Sequence, residues 1–102
     1  MQFFSTRDRN RVVNASQAIA QGLSDEGGLF VPQSFPKVDV ASICALDYPE
    51  MAAAIVGQYL TDYSQPFLAE AAKTTYGEAF DGKAGYLAPV SDEVYSLELW
   101  HG

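Results

Sequence analysis

Three arginines stand at alternate positions, Arg7, Arg9 and Arg11, in the run STRDRNR of a 102-residue chain whose formal charge is −7. In an extended segment, a spacing of two turns all three guanidinium groups to one side. Such a row can grip a phosphate or a carboxylate through forked hydrogen bonds. The plainer reading is a solvated loop that balances Asp8. Ser5 and Thr6 lead into this run, where hydroxyls either satisfy loop backbone or touch a ligand. Gly27 and Gly28 form the other candidate, able to take positive φ or to let another backbone come close.

The remaining reactive side chains assemble no complete site. His101 is the single histidine and Cys44 the single cysteine, so ligand spacing of the structural zinc kind is absent and no metal is expected. A histidine-based general base would have to be built around the last residues of the chain. Cys44 lies in the apolar run ASICAL, where a small buried side chain is the simple expectation. Asp25–Glu26 and Asp92–Glu93 are adjacent pairs in turns and read as turn chemistry rather than acid–base pairs. Lys37, Lys73 and Lys83 read as surface residues. Neither common glycine-rich phosphate loop occurs. The residues alone therefore supply no catalytic and no cofactor-binding group.

These candidates must be positioned by one small domain, 1–102. A hydrophobic fraction of 48% with 13% aromatic residues makes a packed core the expectation. The acidic balance excludes a general nucleic-acid binder and disfavours anionic membranes. No apolar stretch approaches the roughly 20 residues of a membrane span. The first residues lack a signal peptide's apolar region, which makes the cytoplasm the expected compartment.

The elements read as α+β, with short strands and a packed helical pair. Gln2–Ser5 is a strand. Asn14 and Gln17 form a capping box for a short helix, Val13 can staple onto Ala18, and Gly22 ends it. Ser24–Gly28 is a turn, and Leu29–Val31 a brief strand ended by Pro32. Asp39 caps a short helix through Leu46. Asp47 and Glu50 cap a stronger helix, Tyr48–Leu60, apolar on two sides and so expected to be covered on both. Ser64 and Pro66 open a second, running to Phe80. Leu87–Val90 and Val94–Trp100 pair as a hairpin around Ser91–Asp92–Glu93.

Several stretches together resemble the N-terminal region of threonine synthase. FFSTR, Phe3–Arg7, resembles the family's Tyr-x-Ser-Thr-Arg start. QGLSDEGGLFVP, Gln21–Pro32, resembles its Gln-Gly-Leu helix end and Asp-Gly-Gly-Leu-Tyr/Phe-Val-Pro run. YPEMAAAIVGQYLTDY and TTYGEAF are similar to later helical segments, and LELWHG to Leu-Glu-Leu-Phe/Trp-His-Gly. Two positions depart from that pattern: Asp8 stands where glycine is frequent, and Asp25–Glu26–Gly27–Gly28 where Pro-Asp-Gly-Gly is usual.

The resemblance implies the N-terminal domain of a fold-type II pyridoxal-phosphate enzyme. That enzyme is a lyase of threonine biosynthesis, converting O-phosphohomoserine and water to threonine and phosphate. It implies that the Schiff-base lysine lies beyond Gly102, so the 102 residues alone hold no cofactor and are inactive. It implies substrate contacts from Ser5, Thr6 and Arg7, and a cleft wall from Gly27, Gly28 and His101. The missing C-terminal cofactor domain would be the partner, docked on Leu97, Leu99, Trp100 and the outer face of the Tyr48–Leu60 helix. Self-association through that exposed interface stays open. The competing reading is a free-standing, non-catalytic interaction module that shares these segments. A third, a small enzyme built on the arginines and His101, has less to recommend it.

Overall fold

A computed structural model of the chain describes residues 1–77 and 85–99. Each helix starts on a side chain that caps it. Asn14 accepts from the Gln17 backbone and the Gln17 side chain bonds back to the Asn14 N–H, opening α1, Ala15–Gln21. A cap of this kind contributes about 1 kcal/mol. Gly22, at φ 77°, ends the helix in a conformation that a side chain would strain. Asp39 caps α2, which spans only Val40–Ile43 rather than reaching Leu46. Asp47 and Glu50 form the second capping box at the head of α3, Tyr48–Val56, with Pro49 in its first turn. Ser64 accepts from the Phe67 N–H at the start of α4, Gln65–Thr75.

α3 stops four residues before the expected Leu60. From Gly57 the chain tightens into turns in which Gln58 donates to the Ile55 carbonyl and Tyr59 to that of Val56. Gly57 is buried, and a Cβ there would overlap the Gln65 amide at the head of α4. The close approach of the two helices thus sets the end of the first. They pack through small and aliphatic residues, with Ala53, Leu68 and Ala72 buried. Tyr48 and Tyr76 meet edge-on at 5.2 Å between ring centroids.

Three strands make the first sheet in the order β2–β1–β3, all antiparallel. β1 is Phe3–Ser5, β2 is Val12–Val13 and β3 is Phe30–Pro32. β2 was not expected from the sequence, where two valines beside an arginine-rich run carry no strand period. Pro32 belongs to β3 rather than ending it, opposite Phe3 on an edge strand. The expected hairpin is present, with β4, Tyr86–Pro89, paired to β5, Tyr95–Glu98. α4 ends at Thr75, with Tyr76 as its C-cap, rather than running on to Phe80; residues 78–80, Lys83, Trp100 and His101 lie outside the described residues.

Two expectations about burial fail. Cys44 is exposed, because the four-residue α2 covers little and its first residue, Val40, is itself 64% exposed. α3 is incompletely covered: Val56 is 39% exposed, and Tyr48, though against Tyr76, is 50% exposed.

Sheet and helical pair are joined by polar ties. The Asp62 carboxylate accepts from the Ser16 backbone N–H at 2.8 Å, and the Met1 ammonium donates to the Thr61 hydroxyl. The Ser16 hydrogen bonds hold the Asp62 carboxyl below its ordinary range. A carboxyl depressed in the folded state stabilises above its unfolded pKa and loses that contribution as pH falls through the folded value. Asp62→Ala should therefore lower the thermal midpoint by a few degrees at neutral pH. In acid, beneath the usual carboxylate range, the melts of variant and wild type should converge.

Candidate functional site

The end of β1 is pinned onto the turn at Ser24–Gly28. Ser5 is fully buried, and its hydroxyl donates to Oε1 of Glu26. Ser24, 3% exposed, donates to the other carboxylate oxygen at 2.8 Å. One carboxylate thus gives two buried hydroxyls the acceptor they would otherwise lack, a costly condition. The Ser5 oxygen also accepts from the Arg7 backbone N–H at 3.2 Å. Ser5, Glu26's own backbone N–H and Ser24 together hold the Glu26 carboxyl below its ordinary range, with the charge of Arg11 adding a little. Glu26 is therefore ionised at neutral pH.

Backbone bonds close the same junction. Thr6 donates to the Leu29 carbonyl at 2.9 Å, and the Leu29 N–H donates to the Thr6 hydroxyl at 3.0 Å. Ser24 donates to the Gly28 carbonyl at 2.9 Å. Gly28 is buried with no room for a side chain: a Cβ would overlap Ser5 Oγ and lie 3.1 Å from the Arg7 nitrogen. Gly27 sits at φ 80°, and a Cβ there would come within 2.9 Å of Arg7 Nη1. That same Nη1 donates to the Glu26 carbonyl at 2.9 Å, laying the guanidinium across the turn.

The sequence brought Ser5, Thr6, Arg7, Gly27 and Gly28 forward as candidates, and the fold brings all five to one place. His101 lies outside the described residues. The three arginines do not form a row. The segment between β1 and β2 bends: Arg7 lies over the turn, Arg9 stacks 5.4 Å above the Phe4 ring, and Arg11 reaches Gln21 and, at 3.9 Å, Asp25. The spacing-of-two argument fails because the backbone here is not extended.

Glu26 was read as turn chemistry alone. A turn residue it is, but its carboxylate also organises the junction, and the signal lay in the two serines that need an acceptor. The side chains meeting here are Ser5, Thr6, Arg7, Ser24 and Glu26. No amine is among them, so the site does not fit covalent capture of an aldehyde cofactor. Lys37 and Lys73 are both exposed, as expected.

A family model described as "Threonine synthase N terminus" matches residues 2–76. This chain belongs to the threonine synthase family. Threonine synthase of Escherichia coli is 31% identical over the whole chain, which corresponds to 24% of that protein. Human threonine synthase-like 1 is 35% identical over 98% of the chain and 16% of its own length. A crystal structure of the E. coli threonine synthase superposes on the full chain with a TM-score of 0.80, again covering 24% of the larger protein. The chain thus spans about a quarter of the length of the bacterial relative it matches. The α+β architecture is that of the relative's N-terminal region.

The junction makes a direct test possible. Gly28→Ala should destabilise the chain by about 2 kcal/mol through overpacking against Ser5, measured by urea denaturation. Gly22→Ala, with open space around it, should cost only the positive-φ strain, about 1 kcal/mol. Equal losses at the two positions would mean that the junction is not tightly packed.

Proposed function

We propose that this chain forms the N-terminal segment of a threonine synthase, the pyridoxal-phosphate lyase that converts O-phosphohomoserine and water to threonine and phosphate in the cytoplasm. The observation that carries this reading is the full-length structural match at 31% identity to the E. coli enzyme. Bound pyridoxal phosphate supplies the electron sink for such chemistry. Without an amine at the junction, capture of that cofactor falls to the remainder of the enzyme, and this chain provides one wall of the cleft.

Within that wall, Arg7 contacts the substrate phosphate. Its guanidinium is exposed and held by one donor, Nη1, on the Glu26 carbonyl. A guanidinium presents five N–H donors, and planar forked recognition of phosphate is what they suit. Thr6 stands beside it, Ser5 supports it from beneath, and Gly27 and Gly28 line the cleft at the turn.

The surface supports a large docking partner. The chain exposes 7420 Å², roughly 1,700 Å² more than a compact monomer of its mass. Its radius of gyration is 16.2 Å, against about 13 Å for a compact domain of this size. Exposed apolar residues include Leu87, Leu97 and Leu99 on the hairpin and Val56 on α3. In this reading the cofactor domain of the same enzyme covers these exposed residues.

Two measurements test the reading. The complete enzyme carrying this segment should release phosphate and form threonine in equal amounts from O-phosphohomoserine; no product would end the proposal. In that enzyme Arg7→Ala should raise the apparent KM about tenfold, the loss of one charge-assisted hydrogen bond. The 102 residues alone, mixed with pyridoxal phosphate and borohydride, should trap no stoichiometric adduct on one lysine.

A further inference from the structure

The junction contains a carboxylate whose position matters more than its turn. Resting on the reading of Arg7 above, we propose that Glu26 is a positioning residue that holds Arg7 in the orientation that meets the substrate phosphate. Three connections run from Glu26 to Arg7. Its carboxylate accepts a hydrogen bond from the Ser5 hydroxyl, which leaves the Ser5 oxygen lone pairs free toward the Arg7 backbone N–H. Its second carboxylate oxygen accepts a hydrogen bond from the Ser24 hydroxyl and so fixes the turn. Its backbone carbonyl, aimed by that turn, accepts from Arg7 Nη1 at 2.9 Å.

Geometry leaves Arg7 few alternatives. Gly27 at φ 80° and Gly28 without a Cβ open the space in which residue 7 and its guanidinium lie against the turn. The charges facing this point are Glu26 itself, Arg11 and, beyond Arg11, Asp25. Both carboxylate oxygens are occupied by serine hydroxyls, so Glu26 is held at the turn and does not pair with the Arg7 guanidinium through its side chain. A long flexible arginine pays rotamer entropy when it binds. Fixing its base and one of its donors beforehand lowers that cost and favours tight recognition.

The test uses the complete enzyme. Glu26→Ala should raise the apparent KM for O-phosphohomoserine about fivefold, with kcat held within about twofold, because binding rather than chemistry is disturbed. Glu26→Gln, whose amide oxygen keeps an acceptor for one serine while its NH2 group can only donate to the other, should show a smaller rise in KM than Glu26→Ala. In the Arg7→Ala background, Glu26→Ala should add almost nothing, since a residue acting through Arg7 has nothing left to position.

A KM unchanged or lowered by Glu26→Ala, with Arg7→Ala still harmful, overturns the Glu26 role and leaves the Arg7 reading standing. Full additivity in the double variant overturns it too. If Arg7→Ala has no effect, the Arg7 reading fails first and this inference falls with it. Should Glu26→Ala fold poorly, Ser24→Ala removes only one of the two hydroxyls. It should then show a smaller rise in KM that again vanishes without Arg7; an unchanged KM there overturns the proposal.

Discussion

A hydroxyl buried without a partner is costly, and Ser5 is completely buried. The Glu26 carboxylate meets that demand, and most of the local geometry follows from it. The turn at Ser24–Gly28 must come up against the end of β1, so Gly28 has no space for a side chain. Gly27 must turn through positive φ, and Arg7 is left lying over the turn with its amide on Ser5. The two segments, about twenty residues apart in sequence, become one structural unit. Both carry motifs of the threonine synthase family, and the fold shows why they occur together.

The rest of the domain is held with little apolar burial. Val13, Ala15, Ala53, Leu68 and Ala72 are the buried apolar residues among those described. Three of them are alanines, which bury little area each. Helix caps, two edge-on or stacked aromatic pairs and the ties from Asp62 and Thr61 supplement that thin core. Large side chains, among them Phe35, Leu97 and Leu99, remain in solvent. A two-stranded hairpin is marginal by itself, and this one exposes apolar residues along both strands. The E. coli relative is about four times the length of this chain, and packing against such a remainder is what the proposed function supplies.

Much of the fold was legible because its signals are local. Asn14 with Gln17, and Asp47 with Glu50, announce helix starts through contacts three residues apart. Gly22 announces an end through a backbone angle that other residues resist. The hairpin follows from alternating residues around Ser91–Asp92–Glu93. Where the reading missed, distant partners intervened. α3 ends at Val56 because α4 approaches at Gly57. Cys44 is exposed because no neighbour covers the short α2. The arginines diverge because the chain between β1 and β2 bends to let Val12 and Val13 pair with β1.

The chain's chemistry divides in the same way. Side-chain types and their order along the sequence determined the family and brought forward Ser5, Thr6, Arg7, Gly27 and Gly28 as a candidate set. Only the tertiary structure decided that Glu26 joins that set and that Arg9 and Arg11 leave it. Hydrogen bonds between segments depend on which backbones are brought within about 3 Å of each other, and no local spacing encodes that distance.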